Sequence, residues 1–456
     1  MHYMQLADKR GRLYAFVGIG IVTWAIACLY WVLAIFPTGI YWLTYYAANY
    51  NFGFVRRGLG GELLRILPNS RYFTAAYAVL WAPAALWLIS LAVLGWMILF
   101  SGKRSERRIM LALLVVVLPF SFCYAVLSPR PELLGMTALL IYGLGLISIR
   151  GNRSRVALSA GYGAAIAALA FIHEAIPAEF ALGAVLAIII LAADATPTTR
   201  RLCTAVGIGP GIVASLLVIM LGRRDVAPRL CAQLPHRMME NPFAAAISQS
   251  KMVNYVLGHA ESRSDYHDWA CNVIDQINFR AIDGIRAVLS LGPAALFASF
   301  TIGLLIFVCT MAAIRVFSGV PAHTFLSELR GRLLLPSLAL ALMAPVFITA
   351  IDWTRWWVLI TFDAAIVYIL YAIGRPEIEQ APSRTTVRTF VAVALVMMAL
   401  TPTNIAHVGG APFPNAHPRA AQRVDPFQFN SREAQPSSDD AAHAGSDRGI
   451  QPPAVR

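Results

Sequence analysis

Residues 160–191 read AGYGAAIAALAFIHEAIPAEFALGAVLAIIIL, a nearly continuous apolar run with a break near His173, Glu174 and Pro177. A helix needs roughly 20 apolar residues to cross about 30 Å of hydrocarbon. The run is therefore either one overlong span or a hairpin of two, about 156–172 and 176–193. The choice decides on which side of a membrane everything downstream lies.

The rest of the chain resolves it. The 456 residues are 58% hydrophobic and only 13% charged, with a mean hydropathy of +0.62, too apolar for a soluble protein of this length. Nine further apolar stretches have spanning length, at about 13–36, 73–100, 109–128, 133–149, 202–221, 288–314, 333–350, 357–373 and 389–405. Lys and Arg fall in short clusters between them: residues 9–12, 103–108, 150–155, 200–201, 315–332 and 375–388. These clusters hold 18 of the 37 cations. With a hairpin at His173 and the N-terminus inside, all six face the cytoplasm, as the positive-inside rule demands; a single span there would invert every later cluster. The reading is an all-α polytopic transmembrane bundle of about 11 spans, N-terminus cytoplasmic and C-terminus periplasmic, in a bacterial inner membrane. The first span is too long for a signal-peptide core and lacks a small-residue cleavage site, so it is expected to stay as an anchor. The net charge of +13 is topological, and no nucleic-acid partner is expected.

Residues 1–405 thus form one helical domain, with large outer loops at about 37–72 and 222–287, and 406–456 form a polar periplasmic tail expected to be disordered. Cys231 and Cys271 share the second outer loop. In an oxidising periplasm they either bridge, closing a loop of about 40 residues, or stay as two thiols.

The outer turns carry the residues that call for a reason. In Gly53-Phe54-Val55-Arg56-Arg57-Gly58-Leu59-Gly60-Gly61-Glu62, two adjacent Arg stand on the disfavoured side. They read as forks for phosphate oxygens or as anchors snorkelling to lipid headgroups. The glycines allow a ligand close to the backbone or a sharp bend. Tyr41, Trp42, Tyr45 and Tyr46 ahead of them form an interfacial belt or a stacking platform. Arg130 and Glu132, in Ser128-Pro129-Arg130-Pro131-Glu132, pair with each other or serve a ligand. His173 and Glu174 sit deep in apolar surroundings, where ionisable groups are functional candidates by default. Burial should raise Glu174 and keep His173 neutral, which suits proton transfer. Asp352-Trp353-Thr354-Arg355-Trp356-Trp357 could hold a glycan, or could be an Asp352–Arg355 ion pair in an aromatic belt. Asp363 lines the same cavity or pairs with an Arg there. All four turns open to the same side, so a compact bundle could gather them around one cavity. Arg with several carboxylates suits a phosphate leaving group and a general base.

This plan of long outer loops and charged outer tips resembles the C-type glycosyltransferase (GT-C) superfamily, and Gly53-Phe54-Val55-Arg56-Arg57-Gly58-Leu59 resembles a motif of bacterial membrane proteins. The resemblance implies transfer of a sugar from a polyprenyl-phosphate carrier to a glycan acceptor outside the cytoplasm. In that scheme Arg56, Arg57 and Arg130 hold the donor phosphate, helped by Arg355, His173, Trp353 and Trp356. Glu174 is the first choice for base and Asp352 the second, with Glu132 and Glu62 as further acids. The first outer loop has no Asp and only Glu62, unlike the superfamily, which argues against an Asp-x-Asp metal site. His259, His267 and Asp268 lack ligand spacing, so no metal and no cofactor are expected. Expected partners are the lipid-linked donor, the acceptor and membrane lipids. A polysaccharide polymerase or ligase is the alternative enzyme, and a secondary transporter the alternative class.

Overall fold

The computed structural model describes residues 2–245 and 249–405, and the expected tail at 406–456 lies outside them. Helix occupies all eleven stretches. Six helices are long and apolar enough to cross a membrane: Lys9–Ile35, Tyr72–Phe100, Glu106–Leu127, Pro197–Leu221, Pro293–Ser318 and Trp353–Ile373. Three apolar helices are shorter, Glu132–Ser148, Ile176–Leu191 and Leu334–Thr349. Asn152–Ala170 and Arg384–Ile405 complete the set.

Local chemistry sets the ends. The Ser105 hydroxyl accepts from the Arg108 N–H and opens one helix, while Thr196 accepts from the Thr199 N–H with Pro197 in the first turn of another. The run quoted at the outset breaks as a bend: one helix stops at Ala170, and the next begins at Ile176 with Pro177 in its first turn. His173 and Glu174 occupy the bend.

Trp353–Ile373 is the axis of the bundle, with 94% of its apolar window buried against 22% for Lys9–Ile35. It packs along Pro293–Ser318 and Ala181–Leu191, while Asn152–Ala170 lies along Pro197–Leu221. The peripheral helices turn apolar side chains outward, including Phe16, Ile26, Trp96, Met220 and Phe297. Water would not tolerate so large an apolar surface, and lipid requires it.

The two ends of the bundle differ in chemistry. At one end the clusters assigned to the cytoplasm knit together: Arg10 pairs with Glu106 at 3.1 Å, Arg107 donates to the carbonyls of Val316 and Gln380, Arg108 to that of Ile373, and Arg375 pairs with Glu328 at 3.1 Å. At the other end the two long loops pack on each other. Ile40, Trp42, Leu43 and Tyr46 share a core with Leu230, Tyr266, Trp269 and Ile274. A disulfide joins Cys231 to Cys271 in this layer. The helices are not the whole of it: Met238–Glu240 and Arg263–Asp265 pair antiparallel, Met239 opposite Ser264, as two three-residue strands that the all-α reading did not contain.

Candidate functional site

Four chain segments meet beneath the loop layer. The first is the turn carrying Arg56 and Arg57. Arg57 has φ 60° and ψ 18°, the left-handed region, and is the one non-glycine residue with positive φ among those described. A side chain held there costs about 1–3 kcal/mol, a strain that clusters at functional sites. The surroundings fix it: the Leu59 N–H donates to the Phe171 carbonyl at 3.3 Å and the Gly61 N–H to that of Ala48 at 3.1 Å. A Cβ at Gly61 would overlap the Ala48 carbonyl oxygen, so this glycine serves close chain packing rather than a ligand.

The second segment is the bend. Glu174 receives Arg56 directly and Arg57 through Nε and Nη2 at 3.2 and 3.3 Å. The Ser215 hydroxyl holds its backbone carbonyl at 2.8 Å. Burial alone would raise the Glu174 carboxyl, as the sequence suggested, but the guanidiniums of Arg57 and Arg56 outweigh it and hold the group well below the usual carboxylate range. That corrects the expected direction. His173 is pushed down to about 4 by burial and then by the charge of Arg57, so its imidazole is neutral at ordinary pH.

The third and fourth segments exchange partners. Arg130 and Glu132 flank Pro131 yet do not bond to each other. Arg130 reaches Asp352 at 3.4 Å, and Glu132 binds Arg355. Arg355 closes the circuit on Asp352 at 3.0 Å, as the sequence allowed. The aromatics wall these charges: Arg130 lies 4.5 Å from the Trp42 ring centroid, Arg355 3.8 Å from that of Trp356, and Arg57 5.7 Å from that of Tyr45, whose ring stacks near His173. The site therefore grades from a wetter rim to a dry floor. Arg56 and Arg57 side chains are 25% and 31% exposed and Asp352 19%, whereas Arg130 is 3% and Glu132 0%.

Three sequence candidates fall outside this circuit. Glu62 bonds Arg65 on the next turn, at 3.0 Å, and accepts the Tyr50 N–H, so it is a local capping group. The Trp353 indole N–H donates to the Phe347 carbonyl at 2.9 Å while its ring packs on Phe347 and Phe300. Asp363 pairs with no Arg among the described residues; its Oδ2 accepts the Gly183 N–H at 2.9 Å where two helices pack.

One residue was passed over. Glu179 lies one turn beyond the bend, fully buried, and neither carboxylate oxygen has a hydrogen-bond partner among the described residues. Ligand atoms of Glu132, His173 and Glu179 all lie within 4.8 Å of one another. The signal in the sequence was an acid inside an apolar run; it was masked by Glu174, which marked the same bend.

The chain belongs to the family described as "Uncharacterised membrane protein Rv1490", whose model matches residues 14–398 and so spans the whole site. "Uncharacterized protein Rv1490" of Mycobacterium tuberculosis (strain ATCC 25618 / H37Rv) is 57% identical over 406 residues, covering 89% of this chain and 93% of the relative. "Uncharacterized protein Mb1527" of Mycobacterium bovis is similar to the same extent. No solved structure matches the chain.

Proposed function

We propose that this multi-pass membrane protein transfers a sugar from a polyprenyl-phosphate-linked donor to a cell-envelope glycan acceptor, on the periplasmic side of the inner membrane. The observation that carries the reading is the convergence of Arg56, Arg57, Arg130 and Arg355 with Glu132, Glu174 and Asp352 from four distant segments. Paired guanidiniums at the rim match phosphate oxygens. The apolar wall beside them suits a lipid-borne substrate, and the rings of Trp42, Tyr45 and Trp356 suit a sugar face.

In this reading Glu174 is a place-holder. It occupies the fork of Arg56 and Arg57. A donor phosphate entering that fork displaces the carboxylate, which then faces the acceptor hydroxyl. The hydroxyl oxygen attacks the anomeric carbon as its proton passes to Glu174. The bond from that carbon to phosphate oxygen breaks, and the phosphate leaves as an anion held by Arg56, Arg57 and, deeper, Arg130. Asp352 keeps Arg130 and Arg355 aligned. A transporter would be expected to expose ionisable groups near the bilayer midplane. Asp363, inside a span, gives Oδ2 to the Gly183 N–H where two helices pack, while its Oδ1 has no hydrogen-bond partner among the described residues.

The test is transfer by purified protein from a single-sugar polyprenyl-phosphate donor. Activity in the wild type, and its loss in Arg57→Ala and Glu174→Gln at normal membrane abundance, is the expected result. Unchanged glycan in both variants would end the reading, and activity only with oligosaccharide donors would favour a polymerase or ligase.

A further inference from the structure

We infer that Glu132, His173 and Glu179 form a divalent-cation site at the dry floor of the pocket. The floor gathers buried carboxylate oxygens that have no hydrogen-bond partner among the described residues. Glu132 gives Oε1 to Arg355 and leaves Oε2 unpartnered, and both oxygens of Glu179 are unpartnered, with both side chains fully buried. A carboxylate in such a place needs donors or an opposite charge. None of the four guanidiniums bonds to Glu179; they serve Glu132, Glu174 and Asp352.

The geometry suits one ion. Atoms bound to a common cation at about 2.1 Å sit up to about 4.2 Å apart. The three groups already lie within 4.8 Å, so side-chain movements on the order of 1 Å close the shell. Among the described residues the His173 ring accepts one hydrogen bond, a weak 3.4 Å contact to Nδ1 from the Ala175 N–H, so reorienting toward an ion gives up little. Two carboxylates and one imidazole suit Mn²⁺ or Zn²⁺, and three protein ligands leave positions open to water or substrate oxygen.

The electrostatics gives the site a use. The four guanidiniums are already engaged by Glu132, Glu174 and Asp352, which limits their pull on an incoming anion. A dication on the floor adds positive charge and favours phosphate at the rim. The inference stands on the unpartnered oxygens and does not require sugar transfer.

Its test needs no substrate. Full-length protein in detergent micelles, stripped with chelator, is titrated with Mn²⁺ alone while electron paramagnetic resonance reads the free aqua ion. The expected result is one bound equivalent, displaced by Zn²⁺, with hyperfine coupling to one imidazole nitrogen that disappears in His173→Asn. Outer-sphere changes alone weaken metal sites 10- to 100-fold, so Glu179→Gln and Glu132→Gln should each weaken binding by at least about tenfold, while the remote Glu62→Gln leaves it unchanged. No binding by wild type at millimolar Mn²⁺, binding without nitrogen coupling, or wild-type affinity in whichever Glu variant folds would overturn the inference.

Discussion

Replacing Arg355 tests how the ions hold the bundle. Glu132 is fully buried, and Arg355 is the guanidinium bonded to it; Asp352 would keep Arg130 if Arg355 were lost. Arg355→Ala therefore strands the Glu132 carboxylate rather than the Asp352 one. Removing one partner of a buried pair costs about 3–5 kcal/mol, whereas replacing both by apolar groups of similar volume is often neutral. Loss of the contact with the Trp356 ring, at 3.8 Å, adds about 0.5–1 kcal/mol or more. Arg355→Ala should thus lower stability by about 4 kcal/mol, and Arg355→Met combined with Glu132→Met should recover most of it while remaining inactive. The assay is reversible unfolding in bicelles, followed by steric trapping, with all variants in one lipid composition. Equal destabilisation by the single and double replacements would refute the argument that a stranded charge, rather than lost packing, sets the cost.

Other consequences follow from the same geometry. Replacing Cys231 and Cys271 by Ser opens a closure of 40 residues, worth about 4 kcal/mol by chain entropy; limited proteolysis should cut the loop layer first and leave the helices whole. Gly61→Ala forces the Arg57 turn away from Ala48, at about 1–3 kcal/mol, and should weaken donor binding although position 61 touches no ligand. His173 carries a folded-state value near 4 against about 6.5 unfolded. Its contribution is thus complete above about 6.5 and is lost as pH falls toward 4. Thermal melts of wild type should drop across that window more steeply than those of His173→Gln, and parallel curves would count against a buried neutral imidazole.

The helices were legible because lipid imposes a simple rule. Runs near 20 apolar residues and the placement of Arg and Lys follow from solvation alone, and the bend at Pro177 needed only a break in one run. Pairing was not legible. Arg130 and Glu132 are two residues apart and looked like partners, but each bonds instead to a residue 222 or 223 positions away. For Glu174, burial was visible in the sequence, whereas the two guanidiniums that reverse its effect lie 118 and 117 residues earlier. Glu62 lies apart from the circuit for a local reason: its own helix supplies Arg65 one turn later. Glu179 was hidden by position alone, since only the fold places it beside Glu132.

The central claim is that the rim of Arg56 and Arg57 faces the periplasm and receives an anionic lipid-linked ligand. The direct measurement places a single Cys at the exposed position 51, in the loop that carries the rim, in a protein that keeps the Cys231–Cys271 bridge and has Cys28, Cys123, Cys203 and Cys309 replaced by Ala. A membrane-impermeant maleimide is then applied to intact spheroplasts. The account predicts labelling without permeabilisation and slower labelling in the presence of polyprenyl phosphate. Labelling only after the membrane is opened, or a rate indifferent to the lipid phosphate, would contradict it.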